Sequence, residues 1–163
     1  DNDYSLKILE SVIQVNEDQK TVLLPSILDY YEGDLSGKHF AMWGLAFKPD
    51  TDDIREAPAL YIIEKLLERG ATVTAYDPEA MGNVKKVVGD KISYAQNEYD
   101  ALPDADALII CTEWSVFRTP EFSELDKKLK NKTIFDGRNL YSIESMEKRG
   151  YYYKSIGRRT VTA

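Results

Sequence analysis

A chain of 163 residues with a formal net charge of -7 and one cysteine is about one domain in size, and folding at this length buries roughly 70% of the extended chain's surface. The negative balance, with basic residues scattered along the chain, excludes a nucleic-acid or anionic-membrane surface, and no apolar run approaches the ~20 residues of a membrane span. A single cysteine excludes an internal disulfide, so the cytoplasm is the expected compartment.

The opening Asp1-Asn2-Asp3 has neither an initiator methionine nor a signal peptide, and it reads as a fragment beginning inside a helix. From Tyr4 to about Val15, Leu6, Leu9 and Ile13 recur at helical spacing, which predicts an amphipathic helix. Val22-Leu23-Leu24 continues the apolar face to Pro25, which either kinks that helix or starts another. A second helical piece through Ile27, Leu28 and Tyr31 ends at Gly33, and Asp34 to Gly37 reads as a linker. The chain therefore divides into a helical segment, 1–33, and a compact domain, 34–163.

Lys38 to Gly44 predicts a strand running into a loop. From Pro58, Leu60, Ile63 and Leu67 form a helical stripe that Gly70 closes. Thr72 to Tyr76 alternates as a strand, giving a parallel crossover. Ile92 to Tyr94 reads as a short strand, and Ala107 to Cys111 as a central strand buried on both faces. Phe122 to Leu129 reads as a helix and Thr133 to Phe135 as a strand. Ser142 caps a helix to Lys148, and Tyr151 to Ile156 forms a last strand before a frayed tail, Arg158 to Ala163. Alternating strands and helices predict an α/β fold: a Rossmann-like, doubly wound, mainly parallel sheet preceded by the helical segment.

The chemistry concentrates in the loop Gly44 to Pro58. In open α/β sheets ligands settle beyond the carboxyl ends of the strands, so Lys48 and Arg55 there point to an anionic ligand. The turn has one glycine where Gly-x-Gly-x-x-Gly would cradle a pyrophosphate, so charge must come from side chains. Taken alone, Lys48 reads first as a solvated surface charge and Arg55 as a partner for Asp53. Asp52 and Asp53 suit helix capping, and Asp77 suits the turn before Pro78 better than a ribose. Cys111, inside an apolar run and far from the lone His39, is a buried hydrophobe with no catalytic role, and no cluster of ligands suggests a metal.

The pattern Gly44-x-Ala46-Phe47-Lys48-x-x-Thr51-x-Asp53-x-Arg55-x-x-Pro58 resembles the signature of the carboxy-terminal, UDP-binding domain of the UDP-glucose 6-dehydrogenase family. Tyr76-Asp77-Pro78, Thr112-Glu113-Trp114 with Phe117, and Asp136-Gly137-Arg138-Asn139 extend the likeness over nearly the whole chain. The resemblance implies an NAD-dependent oxidation of UDP-glucose to UDP-glucuronate. It places the catalytic cysteine and most of the NAD site in segments this chain lacks, so the chain alone should be inactive. It also implies that Phe47, Lys48 and Arg138 contact the UDP-sugar and that Arg55 reaches toward NAD. Some relatives carry two arginines where this chain has Arg138-Asn139, which leaves the matching position open. The full-length enzyme would be a homodimer or larger, and residues 1–33 the end of a helix connecting its domains. Relatives oxidising UDP-N-acetylmannosamine or GDP-mannose share the pattern, although Thr51 leans toward UDP-glucose. A non-catalytic nucleotide-binding or assembly module is the reading from another class.

Overall fold

The computed structural model describes residues 3–163, with side chains from residue 6 onward. Asp1 and Asn2, which the sequence reading puts inside a helix, lie outside the described residues. Helix α1 (Asp3–Thr21) is followed by a break at Val22, and α2 (Leu23–Tyr30) carries Pro25 in its first turn. The missing proline N–H costs nothing there, because first-turn donors have no intrahelical partner. Leu23 and Ile27 of α2 are buried in the core formed by the sheet.

The sheet comprises β1 (His39–Trp43), β2 (Thr72–Tyr76), β3 (Ser93–Tyr94), β4 (Ala107–Ile110), β5 (Thr133–Asp136) and β6 (Tyr152–Ser155). All its pairs are parallel and its order is 3-2-1-4-5-6. The strand predicted to be central, β4, lies between β1 and β5, and all four of its residues are buried, as a run covered on both faces requires. Its helices are α3 (Pro58–Glu68), α4 (Met81–Val88), α5 (Ser115–Arg118), α6 (Phe122–Lys128) and α7 (Ile143–Arg149). Ser142 caps α7 by accepting from Ser145 N at 3.1 Å. Among the described residues no helix is long and apolar enough to cross a membrane.

One element is added to the sequence reading and two expectations are corrected. The chain between β2 and β3 contains a helix, α4, which has Gly82 and Asn83 in its first turn; Met81, Val84 and Val88 recur at helical spacing, Val84 buried and the other two packed against the core. The tail is not frayed. Val161 is buried and exchanges both backbone hydrogen bonds with Tyr153, at 3.0 and 2.9 Å. Arg158 adds bonds to Ser155 Oγ, Tyr141 O and Tyr153 Oη. Finally, neither Asp52 nor Asp53 caps α3. Its N-cap is Ala57, with Pro58 next, which removes a donor a carboxylate would have satisfied.

Strand order 3-2-1-4-5-6 reverses direction of winding between β1 and β4. That switch point is where a doubly wound sheet opens a crevice, and the loops leaving β1, β4 and β5 meet there.

Candidate functional site

The loop after β1 starts at Gly44, whose φ of +90° suits glycine alone. A Cβ there would stand 2.5 Å from Thr112 Cβ and 2.6 Å from Thr112 N, so the loops after β1 and β4 approach more closely than any side chain permits. Thr112 Oγ1 donates to Ala46 O at 2.6 Å, and Gly44 N donates to Tyr76 O at 2.9 Å. Leu45 and Ala46 are buried, and the chain emerges at Phe47, 45% exposed, and at Lys48.

On the far side, Asp136 is buried and organises the loop after β5. Its carboxylate accepts from Arg138 N at 2.8 Å, Leu140 N at 2.7 Å and Tyr153 Oη at 2.7 Å. Arg138 reaches back across the crevice, where its Nε donates to Cys111 O at 2.9 Å and lies 3.1 Å from Glu113 Oε2. That oxygen is buried without a well-aligned hydrogen bond, so charge rather than geometry holds the pair. Arg138 Nη2 meets Phe47 O only at 3.5 Å, the outer limit of a bond, which leaves the terminal N–H groups able to grip an anion. Asn139 also borders the crevice, but its amide is engaged. Its amide donates to Ile156 O and accepts from Ile156 N, and its φ of +55° completes the turn.

Together these loops and α1 line a cleft of ≈ 1110 Å³ that includes Phe47, Lys48, Cys111, Glu113 and Arg138. Sequence reasoning missed two of its basic lining residues, Lys20 and Arg118. Lys20 comes from α1 and pairs with Glu17 and Glu56, tying the helix to the loop. Arg118 ends α5, which is held by Phe117 stacked on Trp43 at 5.0 Å. Only the neighbouring Thr112-Glu113-Trp114 motif could have drawn attention to Arg118; Lys20 sits in no motif. Among the described residues Lys48 and Arg118 have no acid within ion-pair distance, so the cleft keeps positive charge unspent.

Arg55 lies outside this lining. It is exposed and bound to Asp53, with Nη2 2.7 Å from Oδ2 and Nε 3.0 Å from Oδ1. Arg55's hydrogen bonds hold the Asp53 carboxyl at about 2, below the usual carboxylate range. The sign follows: with a depressed folded value, the pairing is intact at neutral pH and is lost as pH falls from about 4 to about 2. In an NMR titration, Arg55→Ala should return the Asp53 midpoint toward 3.8. An unchanged midpoint would show that the pair does not control it. Asp52 is used separately, accepting from Asn83 Nδ2 of α4 at 3.0 Å. Burial pushes the Cys111 thiol up to about 12, so it is no nucleophile.

Residues 41–143 match the family model described as the UDP-glucose/GDP-mannose dehydrogenase family, UDP binding domain. The chain belongs to this family. Within the UDP-glucose/GDP-mannose dehydrogenases, a UDP-glucose 6-dehydrogenase of Rhizobium meliloti is 38% identical over 158 residues, 97% of this chain and 36% of that protein. One from Bacillus subtilis is 41% identical over 158 residues, 97% of this chain and 34% of its own. The chain thus spans about a third of the length of the curated relatives it matches. Among solved structures, a UDP-glucose dehydrogenase from Pyrobaculum islandicum superposes with a TM-score of 0.71 at 32% identity, covering 89% of this chain and 31% of that one. The UDP-N-acetyl-mannosamine dehydrogenase Cap5O from Staphylococcus aureus gives 0.69 at 27% identity, covering 97% and 35%.

NAD, which the family's chemistry implies, does not fit the turn of this domain. The backbone N–H groups of Leu45 and Ala46, which would face a pyrophosphate, both donate to Asp77 Oδ2, at 2.7 and 3.0 Å. Among the described residues no group of three or more His, Cys, Asp or Glu is placed to hold a metal ion.

Proposed function

We propose that this chain is the nucleotide-sugar-binding part of an NAD-dependent UDP-glucose 6-dehydrogenase, an oxidoreductase converting UDP-glucose to UDP-glucuronate in the cytoplasm. The observation that carries the reading is the switch-point cleft, where Phe47, Lys48 and Arg138 line one anion-ready crevice. Phe47 offers a half-exposed ring to the base or sugar, Lys48 a point charge, and Arg138 a planar fork for the diphosphate. Arg55, on the outer side of the same loop, faces NAD held by the remainder of the longer enzyme. Residues 34–163 form the UDP-binding domain, and 1–33 the end of the connecting helix. The full-length enzyme works as a homodimer or larger. The chain by itself turns nothing over, because its one thiol is buried and protonated.

Titration calorimetry on the chain tests this. UDP-glucose should bind weakly, since only one wall of the site is present, and NAD more weakly still. Tight NAD binding in the absence of UDP would overturn the reading. The Cap5O likeness keeps UDP-N-acetylmannosamine as a second candidate sugar, and running it beside UDP-glucose and GDP-mannose ranks the three.

A further inference from the structure

Asp77 opens the turn after β2 and is fully buried, and its carboxylate receives five N–H donors. Oδ2 accepts from Leu45 N at 2.7 Å, Ala46 N at 3.0 Å and Trp114 Nε1 at 3.0 Å. Oδ1 accepts from Glu79 N at 2.9 Å and Ala80 N at 2.8 Å. Successive backbone N–H groups that converge in this way form an anion-binding nest. In a doubly wound domain that holds a dinucleotide, the turn after the first strand faces the pyrophosphate, and an acid after the second strand takes the ribose hydroxyls. Here the turn and the acid satisfy each other. No donor of Leu45 or Ala46 is left for a phosphate, and neither oxygen of Asp77 is left for a sugar.

We infer that Asp77 is an internal anion seated where the fold would otherwise receive a phosphate, and that it is a positioning residue for the nucleotide-sugar loop. It bars a dinucleotide from this turn. It also fixes Leu45 and Ala46, so that Phe47 and Lys48 leave the core at a defined point. Through Trp114 it sets the loop after β4, which carries Glu113, the partner of Arg138. One buried carboxylate thereby joins the loops after β1, β2 and β4. The positioning half of this inference rests on the nucleotide-sugar reading above; the anion seat does not.

Three preparations of the chain test it: the parent, Asp77→Asn, and Asp77→Gly with and without formate. Asparagine keeps the shape but turns an amide NH₂ toward donors that need an acceptor. In Asp77→Asn, hydrogen exchange at Leu45 N, Ala46 N and the Trp114 indole should rise about tenfold or more, and UDP-glucose affinity should fall about tenfold, while exchange in α7 and β6 stays unchanged. In Asp77→Gly, formate should restore both protection and affinity, which a purely packing role would not allow. Added NAD should leave the parent's Leu45 and Ala46 amide resonances unmoved. If folded Asp77→Asn kept the parent's exchange and affinity, or if NAD shifted those two amides, the inference would be overturned. Should both Asp77 variants fail to fold, Trp114→Phe removes a single donor and keeps the carboxylate. It should raise exchange at Leu45 and Ala46 and weaken UDP-glucose about two- to fivefold; no change in either also overturns the inference. A parent chain giving no UDP-glucose signal defeats the nucleotide-sugar reading instead, and the exchange rates still decide whether Asp77 holds the turn.

Discussion

Gly44→Ala should destabilise the domain by about 3 to 5 kcal/mol, because it combines two costs at one atom. At φ +90° a Cβ is strained whatever surrounds it, and this Cβ would also stand 2.6 Å from the Thr112 backbone nitrogen. Thr112 cannot yield cheaply. Its hydroxyl is bonded to Ala46 O and the next residue but one, Trp114, is tied to Asp77. For a domain of this size the melting midpoint should drop by roughly 10 °C or more. Gly82→Ala is the matched control. It lies in α4 with nothing within 4 Å of the added methyl, and helix propensity predicts no loss and up to about 1 kcal/mol of gain. A Gly44→Ala melt within 2 °C of the parent, on the same scale, would show that the two loops can separate at little cost.

The contrast between these glycines also shows what a sequence can disclose. Elements that bury a periodic or continuous apolar face were legible: β4 through Ala107 to Ile110, and α3 through its stripe between Pro58 and Gly70. Helix α4 is easily passed over because it is only eight residues long with Gly82 and Asn83 in its first turn, although Met81, Val84 and Val88 keep a helical period and pack on the core. Yet parallel pairing of β2 with β3 requires a crossover, and topology could have asked for it. The tail failed for a related reason: one two-residue bridge, Tyr153 with Val161, is too short to carry a pattern.

Site residues were legible as types and positions but not as partners. The loop after β1 could be picked out for its lysine, and the turn after β5 for its arginine. That Lys48 and Arg138 line one cleft follows from strand order, which brings the ends of β1 and β5 to either side of β4. The Arg55–Asp53 pair was among the readings the sequence offered, but spacing could not reveal that Asp77 also accepts from Leu45, Ala46 and Trp114, or that Lys20 reaches the loop from α1. These depend on side-chain directions set by tertiary contacts.

The loop's two cations should therefore fail differently when each is removed from the full-length enzyme. Lys48 lines the cleft and has no acid in ion-pair reach among the described residues, so its charge is available to a phosphate. Arg55 is outside the lining and already half-satisfied by Asp53. A charge-assisted hydrogen bond to a phosphate is worth roughly 1.5 to 3 kcal/mol, so Lys48→Ala should weaken the use of UDP-glucose by about ten- to a hundredfold and affect NAD less. Arg55→Ala should show the reverse bias with a smaller total, since it also releases Asp53. Alanine also removes the methylene stems, so each variant must first give the parent's circular dichroism spectrum and melt. If folded Lys48→Ala kept the parent's Michaelis constant for UDP-glucose and its turnover, the cleft's unspent charge would serve something other than the nucleotide sugar, and Lys48 would have no part in binding it.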